Sequence, residues 1–139
     1  MQKIVKCLII TILALGLQAA NAQEKQYKAG IVAFYNLENL FDTINQPEVN
    51  DEEYTPTGAN LYTATVYMDK LSKLESVLSQ IGTEVTPDGF SVLGVAEIEN
   101  ITVLQDLINQ PKLKPRGYKI AHFDSPDKRG VDVGMIYNP

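Results

Sequence analysis

The sequence predicts an α+β fold in which helices pack on a mixed sheet, and three observations lead there. Apolar runs of strand length alternate with amphipathic stretches of helix length, in the order strand, helix, strand, helix, strand, strand. The first two strands end in short polar clusters, Asn36-Leu37-Glu38-Asn39 and Glu97-Ile98-Glu99-Asn100. The last two strands flank a Ser-Pro-Asp turn and read as an antiparallel hairpin with a long loop. A small self-contained α+β domain is the plainer alternative.

The chain opens on a targeting pattern. Lys3 and Lys6 form a positive region, Cys7 to Leu17 an apolar one, and Ala20-Asn21-Ala22 a cleavage signature. Residues 1–22 are therefore expected to be a signal peptide, with residues 23–139 forming the exported domain. The apolar run is too short for a stable membrane span. Export would place the mature chain in the periplasm or outside the cell. Cleavage would also remove Cys7, the sole cysteine, so a packed core rather than disulfides must hold the domain.

Removing Lys3 and Lys6 takes the net charge from −5 to −7, which excludes a uniformly basic nucleic-acid surface. Lys112, Lys114, Arg116, Lys119, Lys128 and Arg129 nevertheless fall close together in sequence, either as a local phosphate-facing patch or as a solvated face.

Residues 31–36 form a short run rich in β-branched and aromatic side chains, which reads as a buried strand. Residues 42–60 lack periodicity and carry Asp, Glu, Asn, Pro and Gly, which predicts a long exposed loop. Met68, Leu71, Leu74, Val77, Leu78 and Ile81 recur at spacings of three and four, predicting a helix over 66–82 that stops at Gly82. Pro87-Asp88-Gly89 is a turn before the second strand, 90–96. Asn100 is placed to cap a helix over 101–108 whose Leu104, Leu107 and Ile108 face inward. Tyr118–Phe123 and Val131–Tyr137 complete the hairpin.

Carboxylates and amides at the ends of buried strands are costly to desolvate, so a hard cation or a phosphate is a natural partner. Oxygen ligands without cysteine favour magnesium, manganese or calcium over zinc. A glutamate after a strand is by itself most often a surface charge, but the strand before Glu97 is almost continuously apolar. Asn36 and Glu38 are spaced i and i+2 and would point the same way if their strand continues. The plainer reading is that Asn36 closes a turn and Glu38 is solvated.

Three blocks carry a resemblance. They are Phe34-Tyr35-Asn36-Leu37-Glu38-Asn39-Leu40-Phe41-Asp42, Gly94-Val95-Ala96-Glu97-Ile98-Glu99-Asn100, and Asp127-Lys128-Arg129-Gly130-Val131-Asp132-Val133-Gly134-Met135-Ile136-Tyr137. In this order and spacing they resemble the opening motifs of the endonuclease/exonuclease/phosphatase family, and the third is similar to a subgroup of exported bacterial members. The resemblance covers roughly 31–138 and implies the N-terminal half of a DNase I-like four-layer sandwich. It implies metal-dependent phosphoester hydrolysis, with Glu97 as a metal ligand and Glu38 as a second acidic metal-site residue. Asn36 matches the asparagine that positions the phosphate and metal-site groups. Arg129 is implied as a phosphate contact, and Asp132 as a site residue that either orients Arg129 or caps the hairpin. The implied cofactor is a divalent cation, Mg2+ first and Mn2+ or Ca2+ next. The implied substrate is a phosphoester of nucleic acid, lipid or sugar.

The family's late histidine–aspartate base, its mid-chain histidine and its Asp-x-Asn pair have no counterpart in this sequence. His122 precedes where those motifs would fall, and a lone histidine at a strand end reads as structural or exposed. The chain alone is therefore expected to be inactive and poorly soluble. A secreted, non-catalytic module that binds a phosphorylated ligand or a protein is the alternative.

Overall fold

A computed structural model describes residues 27–139, so the leader expected at 1–22 lies outside the described residues. Four strands form one mixed sheet: β1 (Val32–Leu40), β2 (Val92–Ile98), β3 (Lys119–Phe123) and β4 (Asp132–Tyr137), in the spatial order β1-β2-β4-β3. β1 and β2 are parallel, joined by a crossover through α1 (Ala64–Leu78), while β2–β4 and β3–β4 are antiparallel. The expected mixed sheet and terminal hairpin are both present. α2 (Ile101–Ile108) follows β2 directly.

Local signals explain the helix bounds. The Thr63 side chain accepts the Val66 N–H at the start of α1, and the Asn100 side chain accepts from Thr102 and Val103 at the start of α2. α1 begins and ends earlier than its apolar spacing predicts. Tyr67, Leu71, Leu74 and Leu78 form its buried face, whereas Met68 and Val77 are exposed. The chain then leaves the helix through successive turns, with Gly82 at φ +78° packed against Ile31.

The core lies between the helices and one face of the sheet, where Leu93, Val95 and Ile136 meet Leu71, Leu78, Leu104 and Leu107. Gly134 makes this approach close, because a Cβ there would sit 2.9 Å from a Leu104 methyl. The opposite face is open. Val32, Phe34, Val133 and Phe123 are 79%, 68%, 59% and 77% exposed, a band of apolar surface across three strands. One helix layer on one open sheet makes two of the four layers that the DNase I-like sandwich contains.

Residues 42–60 form the expected loop, mostly exposed, with Asp51 buried in it and the buried Phe41 and Tyr62 at its two ends. A 3-10 turn forms at Glu52–Tyr54. The Tyr54 ring stacks on Phe41 at 4.1 Å and 7°. The Asn50 N–H donates to the Lys128 carbonyl at 2.9 Å, tying this segment to the β3–β4 loop. Polar composition concealed an aromatic anchor set spread over some twenty residues.

Candidate active site

The first polar cluster lies on an irregularity within β1, and the second begins on one in β2 and runs past the strand's end at Ile98. β1 and β2 stay in register to the pair Asn36–Ala96 and resume at Leu40–Ile98, so two extra residues bulge from β1. The β2–β4 register slips at the same level, between Ala96 and Ile98. Glu38, Asn39 and Glu97 take φ of 53°, 60° and 58°, a left-handed region that non-glycine residues seldom occupy. Such residues persist only where surroundings hold them, and they concentrate at functional sites.

The bulge removes the alternation that would align Asn36 with Glu38. The Glu38 N–H instead donates to the Asn36 side-chain oxygen at 2.7 Å, and both side chains are exposed. The local geometry of Asn36 is thus the turn-closing one. The Lys70 ammonium, reaching across from α1, donates to the carbonyls of Glu38 at 2.5 Å and Asn39 at 2.9 Å. Burial lowers the Lys70 pKa, while the charges of Glu38 and Glu97 act in the opposite direction.

Glu97 is half-buried at the centre of this end of the sheet. Its charge acts on Lys70 from the α1 side, and on Tyr54 and Arg129 from the two loops. Burial pushes the Tyr54 hydroxyl up, Glu53 and Glu97 add to the rise, and Arg129 opposes it. The exposed Arg129 guanidinium is held by Asp127 through bonds of 2.8 and 3.2 Å, which keep it charged.

Asp132 holds neither Arg129 nor its loop tip directly. It accepts the Ser125 N–H at 2.7 Å and pairs with His122 Nε2 at 2.8 Å. Of the two roles open to it from sequence, hairpin capping matches these contacts, and Asp127 takes the Arg129 pairing. The His122 and Asp132 side chains are each 8% exposed, which makes the sole histidine a buried structural partner. With Asp124, they form the one group of three metal-ligand types found among the described residues, their ligand atoms within 4.8 Å of one another.

The neighbouring Glu99 is the buried carboxylate of the second cluster. It is 4% exposed and accepts the Asp42 N–H at 2.6 Å and the Gln46 side-chain amide at 3.0 Å. Burial raises its pKa to about 7; these two hydrogen bonds oppose the rise, and the charges of Asp42 and Asp51 add to it. It also lines a cleft of about 250 Å3 with Gln46, Asn100, Asp127 and Asp132.

The basic residues do not form one patch. Lys119 pairs with Tyr137, whose other neighbour is Val92, at the end of the sheet remote from Glu97. Arg116 is bound there to the Ser79 carbonyl at 2.6 Å and to the Tyr118 hydroxyl at 3.3 Å. Arg129, beyond the other end, is the basic residue of that run whose charge meets Glu97.

Sequence reasoning missed Lys70, Tyr54 and Glu99. Lys70 is an ordinary polar-face residue of an amphipathic helix in sequence, and nothing local marks it. The donor set of Asn36, Glu38 and Glu97 is made of oxygen atoms, and an ammonium already lies in the field of both carboxylates. That chemistry suits a hard divalent cation.

A sequence model of the endonuclease/exonuclease/phosphatase family matches residues 31–139, almost the whole described chain. The match supports a phosphoesterase-type function in general terms and phosphoesters as the substrate class. No curated protein and no solved structure matches the chain. Among the described residues no helix is long and apolar enough to cross a membrane.

Proposed function

The chain belongs to the endonuclease/exonuclease/phosphatase family, and from that premise we propose that it carries the metal and phosphate end of a divalent-metal-dependent phosphodiesterase. The observation that carries this reading is the position of Glu97. It is a half-buried carboxylate on a left-handed bulge, with the charges of Lys70 and Arg129 on either side.

In this reading Glu97 is the principal metal ligand and Glu38 the second, with Mg2+ the first candidate and Mn2+ or Ca2+ next. Bound there, the cation would stabilise charge on the phosphoryl oxygens. Asn36 fixes the turn that presents Glu38. Arg129, preset by Asp127, offers a fork of donors to a substrate phosphate. Asp132 supports the loop that carries Arg129 through its bond to Ser125. His122 is paired through Nε2 with Asp132 in the β3–β4 hairpin, and we assign the role of base to neither. We therefore expect residues 23–139 alone to be inactive, and their open apolar sheet face to make them poorly soluble. From the leader pattern at residues 1–22 we infer export from the cytoplasm.

The test is Glu97→Gln in the full-length protein, assayed with Mg2+ on DNA, RNA, sphingomyelin and a simple bis-phosphodiester. Turnover on the substrate cleaved should fall by about 10²–10³-fold, with circular dichroism unchanged. Near-normal turnover would remove Glu97 from the site. Ion binding that needs Glu97, without cleavage of any substrate, would replace the enzyme reading with the secreted binding module.

A further inference from the structure

Lys70 stands on α1, more than thirty residues from the turn it contacts, and its stem lines a cleft of about 220 Å3 beside Tyr35, Asn36 and Glu38. Its ammonium is bound to two consecutive backbone carbonyls, both belonging to residues with left-handed φ. Glu97 lies opposite that turn, between the paired levels Asn36–Ala96 and Leu40–Ile98. We propose that Lys70 is the positioning residue of the metal end, holding the turn at Glu38 and Asn39 so that the Glu38 and Glu97 carboxylates converge on one cation position. The inference rests on the metal-site reading given above and adds a residue to it.

Three physical reasons support this role. A left-handed turn at two non-glycine residues is unfavourable and must be held from outside. The Asn36 bond to Glu38 N–H fixes one side of the turn, and the Asn39 carbonyl also accepts the Phe41 N–H at 3.1 Å. Lys70 holds the side of the turn that the Glu38 and Asn39 carbonyls present. Second, the two carboxylates repel each other, and a fixed ammonium offsets that repulsion before a metal ion arrives. Third, a lysine ammonium has three donors, two of which are used here. Methionine would keep the stem and remove the donors, whereas arginine would keep donors and charge.

The test uses full-length protein with Lys70→Met, Lys70→Arg and Glu97→Gln. Mn2+ binding is followed by electron paramagnetic resonance, backbone amide exchange is followed across 36–41, and steady-state kinetics are measured with Mg2+. For Lys70→Met the Mn2+ dissociation constant should rise about 10-fold, in the range known for groups behind metal ligands. Amide exchange at 37–41 should accelerate, and kcat should fall with KM little changed. Lys70→Arg should restore most of the protection and affinity, which a generic loss of packing would not do. If Glu97→Gln loses the ion while Lys70→Met binds it as wild type does, or more tightly, Lys70 is not a positioning residue. Unchanged exchange at 37–41 in Lys70→Met would have the same consequence. If Glu97→Gln binds Mn2+ as wild type does, the metal-site reading fails, and the role proposed for Lys70 fails with it.

Discussion

The two polar clusters look alike in sequence and are used in opposite ways. Asn36-Leu37-Glu38-Asn39 is turned outward, with Asn36 and Glu38 exposed and tied to each other. Glu97-Ile98-Glu99-Asn100 is turned inward beyond its first residue: Glu99 is buried as a clamp on Asp42 and Gln46, and Asn100 caps α2. The first cluster is held from outside by Lys70, whereas the second holds other segments in place. One residue of each, Glu38 and Glu97, is the ligand residue in the function proposed above. A carboxylate after a strand is thus a ligand, a clamp or a surface charge according to what the neighbouring segments leave it to bond.

The largest way to sharpen this contrast is pH. Glu99 has its carboxyl raised from 4.5 to about 7 by burial, so the folded state holds its proton more tightly than the unfolded chain. Its contribution is fully present below about pH 4.5 and is lost as pH rises through about 7. Across that window wild-type stability should lose up to about 3 kcal/mol from this group. Glu99→Gln, which keeps an acceptor for Asp42 N–H, should flatten that part of the urea-unfolding profile. An unchanged slope would mean that Glu99 does not hold its proton more tightly in the folded state.

A smaller effect is expected from Asn100→Ala. Its side-chain oxygen accepts two N–H groups at the start of α2, at 2.8 and 3.1 Å, and loss of such a cap costs about 1 kcal/mol. Denaturant midpoints would measure this, and a loss well below about 0.5 kcal/mol would show that another group satisfies those donors.

The smallest effect on stability should come from Asn36→Ala. The bond it removes is exposed, so the loss should stay within about 0.5 kcal/mol. Turnover should nonetheless fall about tenfold or more, because the turn presenting Glu38 loses its inner tie. A large stability loss with normal turnover would reverse the comparison and make the first cluster the structural one.

The sheet, the hairpin, both helices and the Asn100 cap were legible because each rests on local rules: apolar periodicity, turn residues and a capping side chain. Helix bounds were less so. Met68 and Val77 fit the apolar spacing of α1 yet face solvent, because the core needed Tyr67 in their place. The loop 42–60 is mostly exposed as expected, but the aromatic contacts that anchor it, of Tyr54 with Phe41 and Tyr62, join residues too far apart to form a pattern. The basic run was split between the two ends of the sheet by strand pairing that no linear count reveals.

The sequence by itself determined the family, the order of elements and the oxygen-rich character of the site, since motif order and residue chemistry are properties of the chain. Tertiary structure decided which of those oxygens are exposed and which are bonded within the fold. The bulges that turn Glu38 and Glu97, and the Lys70 bonds across the sheet edge, depend on strand register and on contacts between residues thirty or more apart. Register and long-range contacts are set by packing the whole core at once, so no short stretch of sequence contains them.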